Sequence, residues 1–459
     1  MTATNMAKKP EIAAVLELRA GMQGRVVLPG DASYSTAKQI WNGAVDCHPA
    51  LIALCETPTD VQIAIRVARR HHIPLSVRGG GHDWVGRALR HKGLVIDLSN
   101  MRHVEIDARN QFATVAGGAT AGDLISAAAP HGLVAVTGTV GAVGMAGLTL
   151  GGGYGPFIGR YGLALDNLLG AELVLADGRL VKADASENAE LYWALRGGGG
   201  NFGAVTSMRI RLHPTRDLLA GVILFPWSEA EKVLHAYAEA VTWAPDELTV
   251  STGVLSAPNG DPLLFLAPTW SGERVRGDQV MAGLQSLGTP MLVQIGPMTS
   301  SDILSMFDAY VVNGRHYALQ TRWVSALTSS VISSLIAAGS TRTSPFTAIA
   351  LHHFHGAATR IPLDATAFGL RREHFLVEII AAWEPDAQKD HGTVHRQWAQ
   401  TISQTLAPLA LPGGYANLLG PDNHDQIEQA YGGNIVRLRD VKRRFDPDGI
   451  FTSAIALPN

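Results

Sequence analysis

Hydrophobic and polar positions alternate in short blocks along the first half of the chain, and the period changes from block to block. "ALIALCE" is an apolar run of strand length. "TPTDVQIAIRVARRHH" opens with Thr and Asp placed to cap a helix, and Val61, Ile63, Ile65, Val67 and Ala68 fall among its apolar positions at helical spacing. "IPLSVRGGG" predicts a strand running into glycines, and "GLVIDLS" predicts another strand. "ATVAGGATAGDLISAAAPHG" predicts strand, glycine turn and helix, with Gly132 as the C-cap. "AELVLADGRLVKA" predicts a hairpin turning at Asp177-Gly178. Residues 30–210 thus read as layered α/β or α+β structure.

From about residue 215 the texture changes. Strand-like runs such as "LAGVILFPW" and "FTAIALHHFHG" alternate with helical ones such as "SEAEKVLHAYAEAVTWA", which predicts a second domain. The end, "IVRLRDVKRRFDPDGIFTSAIALPN", reads as a basic helix, a turn and an extended tail. A chain of 459 residues also exceeds what one ordinary core supports.

Composition narrows the function. With 46% hydrophobic and 17% charged residues the chain resembles a well-packed soluble protein, and a net charge of −3 disfavours nucleic-acid or anionic-membrane partners. Cys47 and Cys55 match neither a zinc spacing nor a disulfide framework and read as free or structural thiols. "MTATNMAKKPEIAAVLELRA" has no apolar signal core, and no run approaches the ~18 apolar residues of a membrane span, so the expected location is cytoplasmic.

The 49 glycines matter more. Many fall in three clusters, "SVRGGGHDWVGR", "VGMAGLTLGGGYGPFIGRYG" and "LRGGGGNFGAVTSMRI". Gly198, Gly200 and Gly203 spell G-x-G-x-x-G, but the motif follows a helical segment and leads into a strand, the reverse of a Rossmann fingerprint. No P-loop sequence occurs. One such cluster would be a tight turn. Three within one domain point to backbone N–H groups converging on a large anionic, dinucleotide-like ligand.

These clusters, with "RYGLALDNLLGAELVLADG", "LYWALRGGGGNFGAVT", "HHFHGAATRIPLDATAF" and "YANLLG…RLRDVKRRFDPDGIF", resemble the FAD-binding PCMH-type family of vanillyl-alcohol oxidase and p-cresol methylhydroxylase. Within it the chain is similar to the branch of berberine bridge enzyme, 6-hydroxy-D-nicotine oxidase and the sugar oxidases. The resemblance implies an α+β fold. A two-part FAD-binding domain (30–210) is followed by a substrate domain with a large antiparallel β-sheet flanked by helices (211–414). A C-terminal segment (415–459) returns to the FAD domain.

The resemblance also implies an FAD bonded through its 8α-methyl carbon to His82. Relatives with a second, cysteinyl link carry Cys where this chain has Val140, so a single link is expected. By position, Arg78, Gly79, Gly80, Gly81, His82 and Asp83 cradle the pyrophosphate and ring edge, and Gly86 continues that loop. Gly144, Gly147, Thr149, Gly152, Gly153 and Tyr154 form a second wall, Val205 meets the adenine side, and Tyr415 and Asn417 return to the isoalloxazine. Trp84 stands where relatives line the substrate site.

On "AIALHHFHG" strand alternation puts His353 and His355 on one face and His352 on the other. His353 holds the position of an acid near the flavin in related sugar oxidases, with His355 expected beside the substrate. A zinc site and a hydrogen-bonded structural pair are the rival readings, and no metal is expected. Leu376, Glu378 and Ile380 share a face, and a carboxylate there is either a general base or a salt-bridge partner of Arg371 or Arg372. The family's Y-x-N-Y tyrosine base is absent, because the stretch reads Tyr415-Ala416-Asn417-Leu418. The catalytic role thus passes to His353 or Glu378, with Tyr415 third. The expected reaction is hydride transfer from a small alcohol, amine or aromatic metabolite to flavin, with O2 as reoxidant and H2O2 as product. A dehydrogenase with another acceptor, a non-catalytic flavin carrier and a nicotinamide-linked enzyme are the alternatives. Monomer and homodimer both remain open.

Overall fold

The computed structural model describes residues 8–214, 218–385, 392–452, 455 and 457. The first seven residues and most of the tail "FTSAIALPN" lie outside them, and with them part of the signal-peptide and tail readings. Among the described residues the strands form three sheets.

The first holds β1 (Arg25–Val27), β2 (Leu51–Leu54), β3 (Leu75–Arg78) and β4 (Leu94–Asp97) in the order β1-β2-β4-β3. β2, β4 and β3 run parallel, and β1 pairs antiparallel to β2. The helix Pro58–Arg70 crosses from β2 to β3. Thr57 and Asp60 cap it reciprocally, and its face of Val61, Ala64, Ile65, Val67 and Ala68 is buried. This crossover delivers β3 directly into the glycine loop.

The second sheet holds β5 (Val104–Asp107), β6 (Phe112–Ala116), β7 (Leu133–Ala135), β8 (Leu168–Val174), β9 (Leu180–Asp184) and β10 (Ala204–Pro214). Its order is β5-β6-β10-β8-β9, with β7 also on β10. The β8–β9 hairpin turns where expected, with Gly178 at φ +81°. The helix Ala189–Leu195 precedes the third glycine cluster and β10 follows it, the topology that excludes a Rossmann site.

The third sheet is antiparallel and seven-stranded: β11 (Leu219–Pro226), β12 (Leu248–Ser256), β13 (Pro262–Trp270), β14 (Leu292–Pro297), β15 (His316–Val324), β16 (Ala348–Phe354) and β17 (His374–Trp383), in the order β14-β11-β13-β12-β16-β17-β15. Ile349, Leu351, Val377 and Ile379 share one apolar core with buried residues of the helices Ala230–Ala240, Ser329–Ser340 and Thr393–Leu406. The opposite face is free to meet the first two sheets. Across that junction Arg371 grips Asp166 with two hydrogen bonds, of 2.9 and 2.8 Å, both side chains almost fully buried.

The C-terminal helix Ile435–Phe445 returns to the second sheet. Leu438 joins that core, and Lys442 Nζ donates to the carbonyls of Asn201 (2.7 Å) and Phe451 (2.8 Å). Arg437 pairs with Glu190 on the helix before the third cluster.

Candidate functional site

β3 ends at Arg78, and the chain turns through Gly79, Gly80 and Gly81 into His82, with Gly81 at φ +69°. Among the described residues, none accepts a hydrogen bond from the backbone N–H of Gly79, Gly80, Gly81 or His82. A run of unengaged N–H groups in such a turn is an anion-binding nest. The second wall presses against it. A Cβ on Gly80 would lie 2.4 Å from Gly144 N, and one on Gly144 would lie 2.4 Å from Gly80 N, so neither position admits a side chain. A Cβ on Gly147 would meet nothing within 4 Å.

Together these loops line a cavity of about 390 Å³. Leu98, Gly117, Gly199, Gly203 and Val205 contribute to it, as do His82, Tyr154, His352, Glu378, Tyr415 and Asn417. Its lining combines an N–H nest, glycine walls and a cluster of rings and titratable groups, and so fits FAD: a pyrophosphate at the nest and a flat ring system elsewhere along the groove. Val140 also lines the cavity.

His82 lines the same cavity. Desolvation pulls its pKa down to about 4, so the imidazole is neutral at physiological pH. Among the described residues it makes no hydrogen bond, and its ring contact is an offset stack on Trp41 at 5.1 Å and 14°. The loop that follows is clamped to the C-terminal segment. Trp84 Nε1 donates to Leu418 O at 2.9 Å and Arg87, paired with Asp83, donates to Leu419 O at 2.6 Å. With its N–H engaged, the Trp84 ring serves as a cavity wall.

Further along the groove the hydroxyl of Tyr415 accepts hydrogen bonds from Gly153 N (2.8 Å) and Asn417 Nδ2 (3.0 Å). Burial pushes the phenol up to about 12, so it holds its proton at neutral pH and is poorly suited to act as a base. The Tyr154 ring sits edge-on to Tyr415, and its hydroxyl donates to His374 Nε2 at 2.8 Å while His374 Nδ1 donates to Arg372 O at 2.7 Å. The two bonds fix the His374 tautomer.

β16 and β17 supply the polar pair. His352 and Glu378 both face the cavity, with His352 Nε2 3.4 Å from Glu378 Oε1 and Nδ1 3.4 Å from Ser251 Oγ. Arg371 is committed to Asp166, which leaves Glu378 without the arginine partner considered from sequence.

The structure turns His353 and His355 away from this cavity. The alternation is as expected, but their face is the one packed under helices. His353 is buried, bonds Glu373 Oε1 at 2.8 Å, and stacks between His355 (4.4 Å) and Phe375 (4.6 Å). His355 packs against Gly159, where a Cβ would lie 2.5 Å from its ring. Neither His353 nor His355 lines the cavity, whereas His352, on the other face of the strand, does. Five other expected contacts stand behind the lining. Arg78 donates to Ala37 O at 2.6 Å and pairs with Asp97 instead. Gly86 packs on Val45, Gly152 lies under the Tyr415 ring, Gly153 serves through its N–H, and Thr149 is buried with its hydroxyl unpaired. Trp41, Tyr317, Leu98, Gly117 and Phe346 line the cavity without a sequence signal that marks them.

Residues 49–184 match the family model described as FAD binding domain, and residues 414–458 match the model described as berberine and berberine like. An uncharacterized FAD-linked oxidoreductase of Bacillus subtilis (strain 168), YvdP, is 30% identical over 95% of this chain and 98% of its own length. The (R)-6-hydroxynicotine oxidase of Paenarthrobacter nicotinovorans is 35% identical over 62% of this chain and 63% of its own length. The crystal structure of 6-hydroxy-D-nicotine oxidase from Arthrobacter nicotinovorans superposes with a TM-score of 0.87 at 29% identity, covering 95% of this chain and 98% of that one.

Proposed function

This chain belongs to the FAD-linked oxidoreductases of the berberine-bridge-enzyme-like family, and we propose that it is an oxidase whose FAD is held by one covalent bond to His82. In this reading residues 30–210 with 415–459 hold the cofactor, and 211–414 supply the substrate side. The substrate is a small, ring-bearing alcohol, amine or aromatic metabolite. Electrons pass to O2, which leaves as H2O2.

The observation that carries the reading is that one cavity joins the N–H nest and the neutral His82 imidazole to the Glu378–His352 pair. Bound FAD supplies the hydride acceptor. Every other task falls to the chain's own backbone and side-chain groups. The nest neutralises the pyrophosphate, and Tyr415 and Asn417 brace the second glycine wall. Glu378 takes the proton from the substrate O–H or N–H at Oε1, and His352 receives it or holds the carboxylate in place. Trp84, Phe346, Leu319 and Ile380 exclude water and favour a flat, largely apolar substrate over a long saccharide.

A screen of cyclic alcohols, amines and hydroxylated aromatics tests this. A true substrate bleaches the flavin without O2 and yields one peroxide per turnover with it. Bleaching without peroxide on readmitting air would refute the oxidase assignment. A preference for long oligosaccharides would refute the substrate class.

A further inference from the structure

Among the described residues the His82 imidazole has no polar partner, so stacking on Trp41 is what fixes its plane. Trp41 is itself held on its other side. Its indole stacks on the Tyr317 ring at 4.0 Å and 22°, and its backbone is pinned by Trp41 N→Gly81 O (3.1 Å) and Gly314 N→Trp41 O (2.9 Å). The neighbouring Asn42 is buried and ties the same strap to β15. Its Nδ2 donates to Tyr317 O (2.9 Å) and Trp84 O (2.6 Å), and its Oδ1 accepts from Tyr317 N (2.9 Å). The Tyr317 hydroxyl is anchored in turn, accepting from Val312 N at 2.9 Å. The stack therefore runs from the seven-stranded sheet, through a segment of the first half of the chain, to the imidazole.

We propose that Trp41, backed by Tyr317, is a positioning residue that sets the orientation in which His82 is joined to the flavin. The inference rests on the His82 linkage above. In that step one bond forms between an imidazole nitrogen and the 8α carbon. The imidazole N–H and one methyl C–H each give up a hydrogen, and the two electrons end on O2, which leaves as H2O2. Nothing in the balance requires an acid or base from Trp41. Its part is to hold the ring so that a nitrogen faces the carbon, a contribution to orientation alone. Attachment then depends on the seven-stranded sheet being docked, since Tyr317 belongs to it.

The test uses full-length protein from flavin-limited cells, given saturating FAD in air. Covalent incorporation is timed by the flavin fluorescence of the denatured polypeptide, while FAD released by denaturation reports what is bound without a bond. His82→Ala is the control. Trp41→Ala and Tyr317→Leu are expected to bind FAD yet acquire the bond about fivefold or more slowly, the scale of one lost ring stack. Trp41→Phe and Tyr317→Phe, which keep the rings, are expected within about twofold of the parent. Equal rates in all four variants, with the parent labelled and His82→Ala unlabelled, would overturn the inference and leave the linkage standing. An unlabelled parent would bring down both. If Trp41→Ala does not fold, Tyr317→Leu against Tyr317→Phe decides the matter alone.

Discussion

Three histidines away from the attachment point make acid stability a sharp test of the packing. Desolvation lowers the pKa of His213 and His355 from 6.5 to about 4, and that of His374 to about 3. Folded, these imidazoles stay neutral until the pH is well below 5. Unfolded, they take up protons near 6.5. Between those limits the unfolded chain binds about three more protons, so stability is full above about pH 6.5 and falls as the pH is lowered. At pH 5 a fully buried histidine of this kind has lost about 2 kcal/mol. His213 is partly open to solvent and counts for less, so the three together give about 5 kcal/mol. That is a large share of the ~5–15 kcal/mol that holds a folded protein together.

For a chain of this length the unfolding entropy is about 1 kcal/mol per kelvin, so the melting temperature should drop by about 5 °C between pH 7.5 and pH 5. Scanning calorimetry of the flavin-loaded protein at fixed ionic strength measures it. In His374→Gln the side chain can still accept from Tyr154 but no longer titrates, and the drop should shrink to about 3 °C. A melting temperature that is flat to pH 5, or a full drop in His374→Gln, would refute the reasoning.

Three other outcomes separate the roles assigned above. Glu378→Gln should lower kcat by about 10²-fold or more, whereas His353→Gln, on the far face, should change it by less than about twofold; steady-state kinetics decides. Arg371→Met should destabilise the protein by about 3–5 kcal/mol by leaving Asp166 buried and unpaired, and adding Asp166→Leu should restore most of the loss in thermal melts. Tyr415→Phe removes the acceptor for Gly153 N–H and should cost about 1–3 kcal/mol, read as a lower melting temperature and faster loss of FAD from a His82→Ala background.

The first half of the fold was legible because its signals are local. Thr57 and Asp60 cap a helix, Asp177-Gly178 turns a hairpin, and the helix before Gly198 sets the third cluster apart from a Rossmann loop. The nest was legible for the same reason, since Gly79–Gly81 follow a strand directly. The polar pair was half legible. Alternation separated His352 from His353, but alternation does not say which face meets the cavity. The aliphatic run of Ile349, Leu351, Val377 and Ile379 could have, because large branched residues mark the helix-covered side and leave Ala348 and His352 facing the groove. Trp41 and Tyr317 were invisible. No motif joins two rings so distant in sequence, and only the docking of β15 on the strap brings them together.

The central claim is that one FAD lies in the glycine-walled groove and is bonded to His82. Proteolysis of the purified protein followed by mass spectrometry tests it most directly. The account predicts that the peptide containing His82 carries the added mass of one FAD, with fragmentation placing it on the histidine. An unmodified His82 peptide, with all flavin released on denaturation, would contradict it.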